Sequence, residues 1–227
     1  MKKPIIILTG PTAVGKTKLS ISLAQAVNGA IISADSMQVY RHMDIGSAKI
    51  RPEEMCGVPH YLIDVLDPSE EFHVVKFVEL AHEAMEKIYA AGQIPIVTGG
   101  TGFYIQALLK EVDFTESHGE LPIRKQLEEK AATEEGAAEL YRELSEVDPA
   151  SAETIHPNNV KRVIRALEYY HETGQKISEH NEEQKQKESP YCSAYFVLND
   201  ERSILYDRID RRVDQMICDG LVDEVFR

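Results

Sequence analysis

Gly10-Pro11-Thr12-Ala13-Val14-Gly15-Lys16-Thr17 has the spacing G-x-x-x-x-G-K-T, and its neighbours decide what that spacing means. Ile5-Ile6-Ile7-Leu8 before it is an apolar, β-branched run that reads as a strand, and residues 16–27 after it read as an amphipathic helix. A glycine-rich turn between strand and helix lets backbone amides point inward and cradle phosphate oxygens at a helix N-terminus. There the Lys16 ammonium neutralises terminal phosphate charge, and the Thr17 hydroxyl ligates Mg2+. The ligand implied is a di- or triphosphate.

Outward from this turn, residues 30–33, 61–63 and 94–98 read as further strands. Phe77, Leu80, Ala81, Ala84 and Ile88 recur at helical spacing, which predicts a helix over about residues 73–91 that ends at Gly92. Strands apolar on both faces and joined by helices imply a parallel sheet. The pattern changes near Phe114. From about Ser117 to Glu188 there is only helical spacing, with Leu127, Ala131, Leu140, Tyr141 and Leu144 on apolar faces and a break expected at Gly136. A second helix starts after Pro157, carries Val160, Val163, Ile164 and Leu167, and ends at Gly174. The polar run Glu179 to Ser189 is either a solvated helix or a connection. Ala194 to Leu198 then reads as a buried strand, followed by a helix with Leu205, Ile209, Val213 and Met216. The economical reading is one α/β core, residues 1–114 and 189–227, interrupted by a helical insertion at 115–188.

The chain has 227 residues, with 25 basic against 38 acidic side chains and a net charge of −13, so it repels phosphate backbones at long range. Nucleic acid is admitted only where basic residues cluster. An apolar run of about 18 residues, the length of a membrane-spanning helix, does not occur. The run after Met1-Lys2-Lys3 is shorter than a signal peptide's apolar region, so no leader is expected. Cys56, Cys192 and Cys218 are odd in number and widely spaced, which argues against disulfides or zinc and suits a reducing cytoplasm.

The phosphate loop leaves the reaction open. Hydrolytic proteins with this loop use an acid at a strand end to organise magnesium and water. Ile94 to Thr98 instead runs into Gly99-Gly100-Thr101-Gly102, and Asp64 after Tyr61-Leu62-Ile63 is either that acid or a turn residue. Asp35 follows the strand at 30–33, at the sheet edge where open α/β sheets bind ligands. It is either the cap of a helix beginning at Ser36 or a proton acceptor beside the phosphates. Lys161, Arg162 and Arg165 lie on the polar side of one helix, and Arg202, Arg208, Arg211 and Arg212 flank another. Each cluster is either a solvated face or a site for a diphosphate or an RNA backbone. The eight histidines show no metal-ligand spacing.

Several stretches together resemble the tRNA dimethylallyltransferases, also called tRNA isopentenyltransferases. They are Gly10 to Thr17, Asp35-Ser36-Met37-Gln38-Val39-Tyr40-Arg41, Met43 to Lys49, Val58-Pro59-His60-Tyr61-Leu62-Ile63-Asp64, Thr98 to Tyr104, and His156-Pro157-Asn158-Asn159 through Glu168. They span nearly the whole chain. The resemblance implies an α/β fold, a P-loop NTPase-like parallel sheet flanked by helices with an inserted all-helical, tRNA-binding domain. It also implies transfer of a dimethylallyl group from dimethylallyl diphosphate to an adenosine amine beside the tRNA anticodon, with release of pyrophosphate. Lys16, Thr17, Asp35 and Thr101 would then be catalytic. Gly10, Pro11, Thr12, Ala13, Val14, Gly15, Lys16, Thr17, Arg165 and Arg208 would hold the diphosphate, with Mg2+ on Thr17. Asp35, Ser36, Met37, Gln38, Thr101, Arg124, Lys161, Arg162, Val163 and Arg165 would face the anticodon stem-loop. A cytoplasmic monomer is expected, with nucleotides such as ATP as further candidate ligands. Family members usually continue beyond Gly220-Leu221-Val222-Asp223-Glu224-Val225 by several tens of residues, which suggests a C-terminal truncation.

Two other classes share some of these features. A small-molecule or nucleoside kinase also has a phosphate loop, an acid after its second strand and a late arginine-rich helix, but it consumes a nucleoside triphosphate. A non-catalytic nucleotide- or RNA-binding module would leave Asp35 without a purpose.

Overall fold

The computed structural model describes residues 2–111 and 122–226. In chain order its elements are β1 (Lys3–Thr9), α1 (Lys16–Val27), β2 (Gly29–Ser33), β3 (His60–Tyr61), α2 (Val74–Ala90), β4 (Ile94–Gly99) and α3 (Gly102–Lys110). Then follow α4 (Pro122–Lys130), α5 (Glu134–Val147), α6 (Pro149–Thr154), α7 (Val160–Thr173), α8 (Ile177–Gln186), β5 (Tyr191–Val197), α9 (Arg202–Cys218) and α10 (Leu221–Val225). The chain forms two compact units, Met1–Val112 with Ser189–Arg227, and Asp113–Glu188. The change of texture expected at Phe114 and Ser117 lies outside the described residues.

The first unit is the α/β fold expected, a five-stranded, all-parallel sheet in the order β3-β2-β4-β1-β5. Alternation along the strands splits the core between the two faces. Ile5, Ile7, Ile32 and Val97 pack against Phe77, Ala81 and Ile88 of α2 and Ile105 and Leu108 of α3. Ile31 and Ile96 turn the other way, towards Ala24 of α1. Phe77 and Tyr104 stack with ring centroids 4.9 Å apart, joining α2 to α3.

Three expectations about strands and breaks are corrected. The strand expected over 61–63 is confined to His60–Tyr61, because Leu62 and Asp64 take left-handed backbone angles (φ 62° and 55°) that end pairing. The strand expected to be buried over 194–198 is the sheet's outer strand β5, where Tyr195 and Phe196 are 46% and 52% exposed. Gly136 breaks nothing: it lies in the first turn of α5, where its amide donates to the capping Thr133 hydroxyl at 3.1 Å. The break is at residues 131–133.

Among its described residues the second unit has only helix as secondary structure, joined by short turns. Leu127, Leu140, Leu144, Val163, Ile164 and Leu167 form its core. Of the polar run Glu179 to Ser189, residues 179–186 are helix, within α8, and 187–189 are not. Gly174 ends α7 with φ 70°, the conformation a glycine takes without strain. Asp148 caps α6 and also accepts the Ser178 amide and hydroxyl at 3.0 and 2.6 Å, tying α8 to the unit.

Candidate active site

β1 ends at Thr9, and the phosphate loop carries the chain to α1, where Gly15 sits at the helix start with φ 96°. A Cβ there would strain the backbone. The Lys16 ammonium is held over the loop by the Gly10 and Pro11 carbonyls, each at 2.8 Å. Its pKa lies below the ordinary 10.5. Burial is the main cause, the Asp35 charge opposes it, and the Arg212 charge adds to it.

Asp35 arrives from β2. Ser33 pairs with Thr98 of β4, and Thr98 pairs with Leu8 of β1, so the two loops leave the same sheet edge one strand apart. Between them Gly99 must be small, because a Cβ would lie 2.2 Å from the Ala34 carbonyl oxygen. The helix expected to start at Ser36 is absent, as residues 36–39 are bends and turns. The capping reading is therefore corrected. Asp35 Oδ1 accepts the Met37 and Gln38 amides at 2.9 and 3.4 Å, the pattern of an acid closing a tight turn. Gln38 then donates through Nε2 to the Ser47 and Ala48 carbonyls at 3.3 and 3.4 Å.

These groups surround a cavity of about 660 Å³ lined by Thr12, Ala13, Gly15, Lys16, Thr17, Asp35, Met37, Gln38, Gly100 and Arg212, among others. A second cavity of about 830 Å³, with Ile21, Lys49 and Arg51 in its wall, shares Thr17 and Arg212 with the first. The first cavity thus combines a phosphate cradle, three cationic side chains (Lys16, Lys18 and Arg212) and the Asp35 carboxylate. Gly10, Pro11 and Val14 shape the loop without lining that space, and Ser36 belongs to the turn beside it. Thr101 stands one residue beyond the lining Gly100, and its carbonyl accepts the first amides of α3.

Arg208 pairs through Nη1 with Asp200 at 3.0 Å and lines neither cavity. Arg212, one helical turn further along α9, lines both cavities. Sequence reasoning grouped these arginines but did not single out Arg212. Their i, i+4 spacing puts both on one helix face, so spacing marks the pair but does not separate its members. Asp64 is likewise not at the cavity. Its carboxylate pairs with Lys49 at 2.5 Å, which gives it the turn role.

In the helical unit, Arg124 of α4 and Arg165 of α7 both reach Glu168 Oε2, at 3.3 and 2.9 Å. The Glu168 side chain is fully buried, so this shared contact compensates an interior charge. Lys161 and Arg162 are exposed on the same helix. Val163, expected to face RNA with them, is 1% exposed and packs in the unit's core. That expectation is corrected: α7 turns Val163 inward by its helical phase.

Strand, glycine turn, lysine and helix, set on a parallel sheet, define a P-loop α/β protein. The IPP transferase family model matches residues 38–227. Over 223 residues, 98% of the chain is 64% identical to 71% of the tRNA dimethylallyltransferase of Lachnoclostridium phytofermentans. The crystal structure of the full-length tRNA isopentenylpyrophosphate transferase from Bacillus halodurans is 46% identical, with a TM-score of 0.67 over 99% of this chain and 69% of that one. A eukaryotic dimethylallyltransferase acting on tRNA is 39% identical, with a TM-score of 0.85 over 98% of this chain and 55% of its own. The chain belongs to the IPP transferase family.

Proposed function

We propose that this chain transfers the five-carbon group of dimethylallyl diphosphate to the exocyclic amine of the adenosine 3′ to the anticodon in tRNAs that read U-initial codons. The observation that carries the reading is the cavity that holds Asp35 together with Lys16, Thr17 and Arg212. Carbon transfer from a diphosphate needs cations on the departing pyrophosphate and an acceptor for the amine proton. It needs no acid to position water. The donor's carbon–oxygen bond breaks as the carbon–nitrogen bond forms. The bonding electrons leave with pyrophosphate, and the amine proton passes to Asp35. Lys16 and Arg212 lower the energy of the charge that develops on the leaving group.

A Mg2+ ion suits this site in one mode. Among the described residues no group of three or more His, Cys, Asp or Glu side chains could cage a metal. Magnesium, however, commonly takes one or two protein oxygens and completes its shell with phosphates and water. The Thr17 hydroxyl, in the cavity wall, would be that protein oxygen. When bound, the ion would supply positive charge to the diphosphate.

The exposed Lys161 and Arg162 of α7 are the groups in this reading that meet the tRNA backbone. A cytoplasmic, monomeric enzyme is part of it. All three cysteines are free and exposed, in keeping with a reducing compartment, and no described helix is long and apolar enough to cross a membrane. Incubation with unmodified tRNA, magnesium and labelled dimethylallyl diphosphate tests the reading. Label should enter tRNA without nucleoside triphosphate. Label that stays in the diphosphate, with ATP consumed instead, would replace this reading with a kinase.

A further inference from the structure

The short helix α10 directs one side chain into the loop that forms part of the cavity wall. Glu224 Oε2 accepts the Asp44 and Ile45 amides at 2.9 and 2.8 Å, and Oε1 accepts the Gly46 amide at 2.9 Å. Three successive amides converging on one carboxylate form an anion-binding nest. Burial favours the neutral acid, but the three amide bonds outweigh it and hold the Glu224 pKa below the usual value. The same loop is gripped from within by Lys49, whose side chain is 4% exposed. Its ammonium reaches Asp44 at 2.6 Å, Asp64 at 2.5 Å and the Tyr40 carbonyl at 2.7 Å.

What this loop carries gives the clasp its meaning. Directly after the nest, the Ser47 and Ala48 carbonyls accept the Gln38 side-chain amide, and Gln38's own backbone amide donates to Asp35. A continuous series of hydrogen bonds therefore runs from Glu224 through residues 44–48 and Gln38 to Asp35. No atom of Glu224 lines the cavity that Asp35 faces. We propose that Glu224 is a positioning residue: its carboxylate fixes the 44–48 loop, and through Gln38 the loop fixes the turn that aims Asp35. The consequence for transfer rests on the reading of Asp35 as proton acceptor. The positional claim does not.

Glu224→Gln keeps the shape of the side chain but leaves one acceptor oxygen and places an NH2 group against an amide donor. Glu224→Ala empties the nest. With the full chain, backbone amide resonances, thermal midpoint, donor binding and single-turnover transfer are compared with the parent protein. In both variants the amides of Met37 and Gln38 should shift together with those of residues 44–46. The transfer rate should fall about tenfold while the Kd for dimethylallyl diphosphate changes less than about twofold. A general loss of structure would instead weaken donor binding and lower the thermal midpoint in the conservative Gln variant too, and would overturn the proposal. So would shifts confined to residues 44–46, because the clasp would then end in its own loop. If the parent protein transfers no prenyl group, the reading of its function fails, while the Met37 and Gln38 resonances still decide the clasp.

Discussion

Asp35 accepts the amide of Met37 at 2.9 Å, so the acid at the end of β2 is held by the turn that follows it. Asparagine can make the same bond through its side-chain oxygen but cannot take up a proton. Asp35→Asn should therefore keep the thermal midpoint and the donor Kd, and lower kcat by about 10²–10⁴, the usual worth of acid–base help. Single-turnover transfer to tRNA, run beside donor titrations at several magnesium concentrations, checks this. Weaker donor binding with a raised magnesium requirement would place Asp35 on the metal instead.

Lys16→Ala should cut transfer by at least about 100-fold, which corresponds to about 2.7 kcal/mol of lost contact to the leaving group. The lysine also predicts a pH dependence. Its pKa lies below 10.5, so its charge is lost earlier on the alkaline side than that of an ordinary lysine. Donor affinity should be full at neutral pH and should weaken as pH rises through a midpoint below 10.5, and this limb should vanish in Lys16→Ala. Isothermal titration with dimethylallyl diphosphate across that range measures it.

Arg212 and Arg208 should differ although one helical turn separates them. Arg212→Ala removes a charge-assisted contact and should raise the donor Kd by about 10- to 100-fold. Arg208→Ala breaks a partly exposed pair with Asp200 and should change it less than about threefold. Equal effects of the two substitutions would show that the geometry of α9 does not select the ligand contact.

Lys161→Ala and Arg162→Ala should each reduce the salt dependence of tRNA binding by about one unit of slope while leaving the thermal midpoint unchanged. Arg165→Ala should behave differently and lower the midpoint, because it strips Glu168 of its nearer cation. Binding across a series of potassium chloride concentrations, paired with thermal melts, separates the two roles.

Asp148→Ala should destabilise the helical unit by about 2–4 kcal/mol, since four hydrogen bonds to residues 151 and 178 are lost from a site only 2% exposed. Burial raises the pKa of this carboxyl, but the Ser151 and Ser178 bonds outweigh that and leave it lowered. The sign follows from linkage: this stability is fully present above the unfolded-state pKa of about 3.9 and is lost as pH falls through the lower folded value. The gap in thermal midpoint between the parent and Asp148→Asn should therefore narrow on acidification.

The phosphate loop and the parallel sheet were legible because each rests on a short-range rule, glycine spacing in one case and continuous apolar runs in the other. The failures are of another kind. Leu62 ends β3 through a left-handed backbone angle that no side-chain pattern announces. β5 is as apolar as a central strand, and only the strand order places it outermost. α6, at six residues, is too short for a helical period to show. Arg212 could not be told from Arg208 because the choice depends on how α9 packs, and Glu224 carried no motif of its own. The pairing of Arg124 with Glu168 was hidden for a similar reason, since the two are 44 positions apart.

The position of β5 also sets an order of events while the chain is being made. β1 pairs with β5 in register from Lys3 with Tyr191 to Thr9 with Val197, so the first strand must wait for nearly the last. Until then one side of β1 stays bare, although β4 can already cover the other. In sequence the helical unit lies between the two partners, so synthesis delivers it before β5 emerges, and it is expected to fold before the sheet is closed. Joining residues so far apart costs more chain entropy than any other pairing in the sheet, but the cost grows only logarithmically with separation, and a folded insert shortens the effective loop. The β1–β5 ladder is therefore expected to be the last of the described strand pairings to form, adding a fifth strand to four that can already be paired.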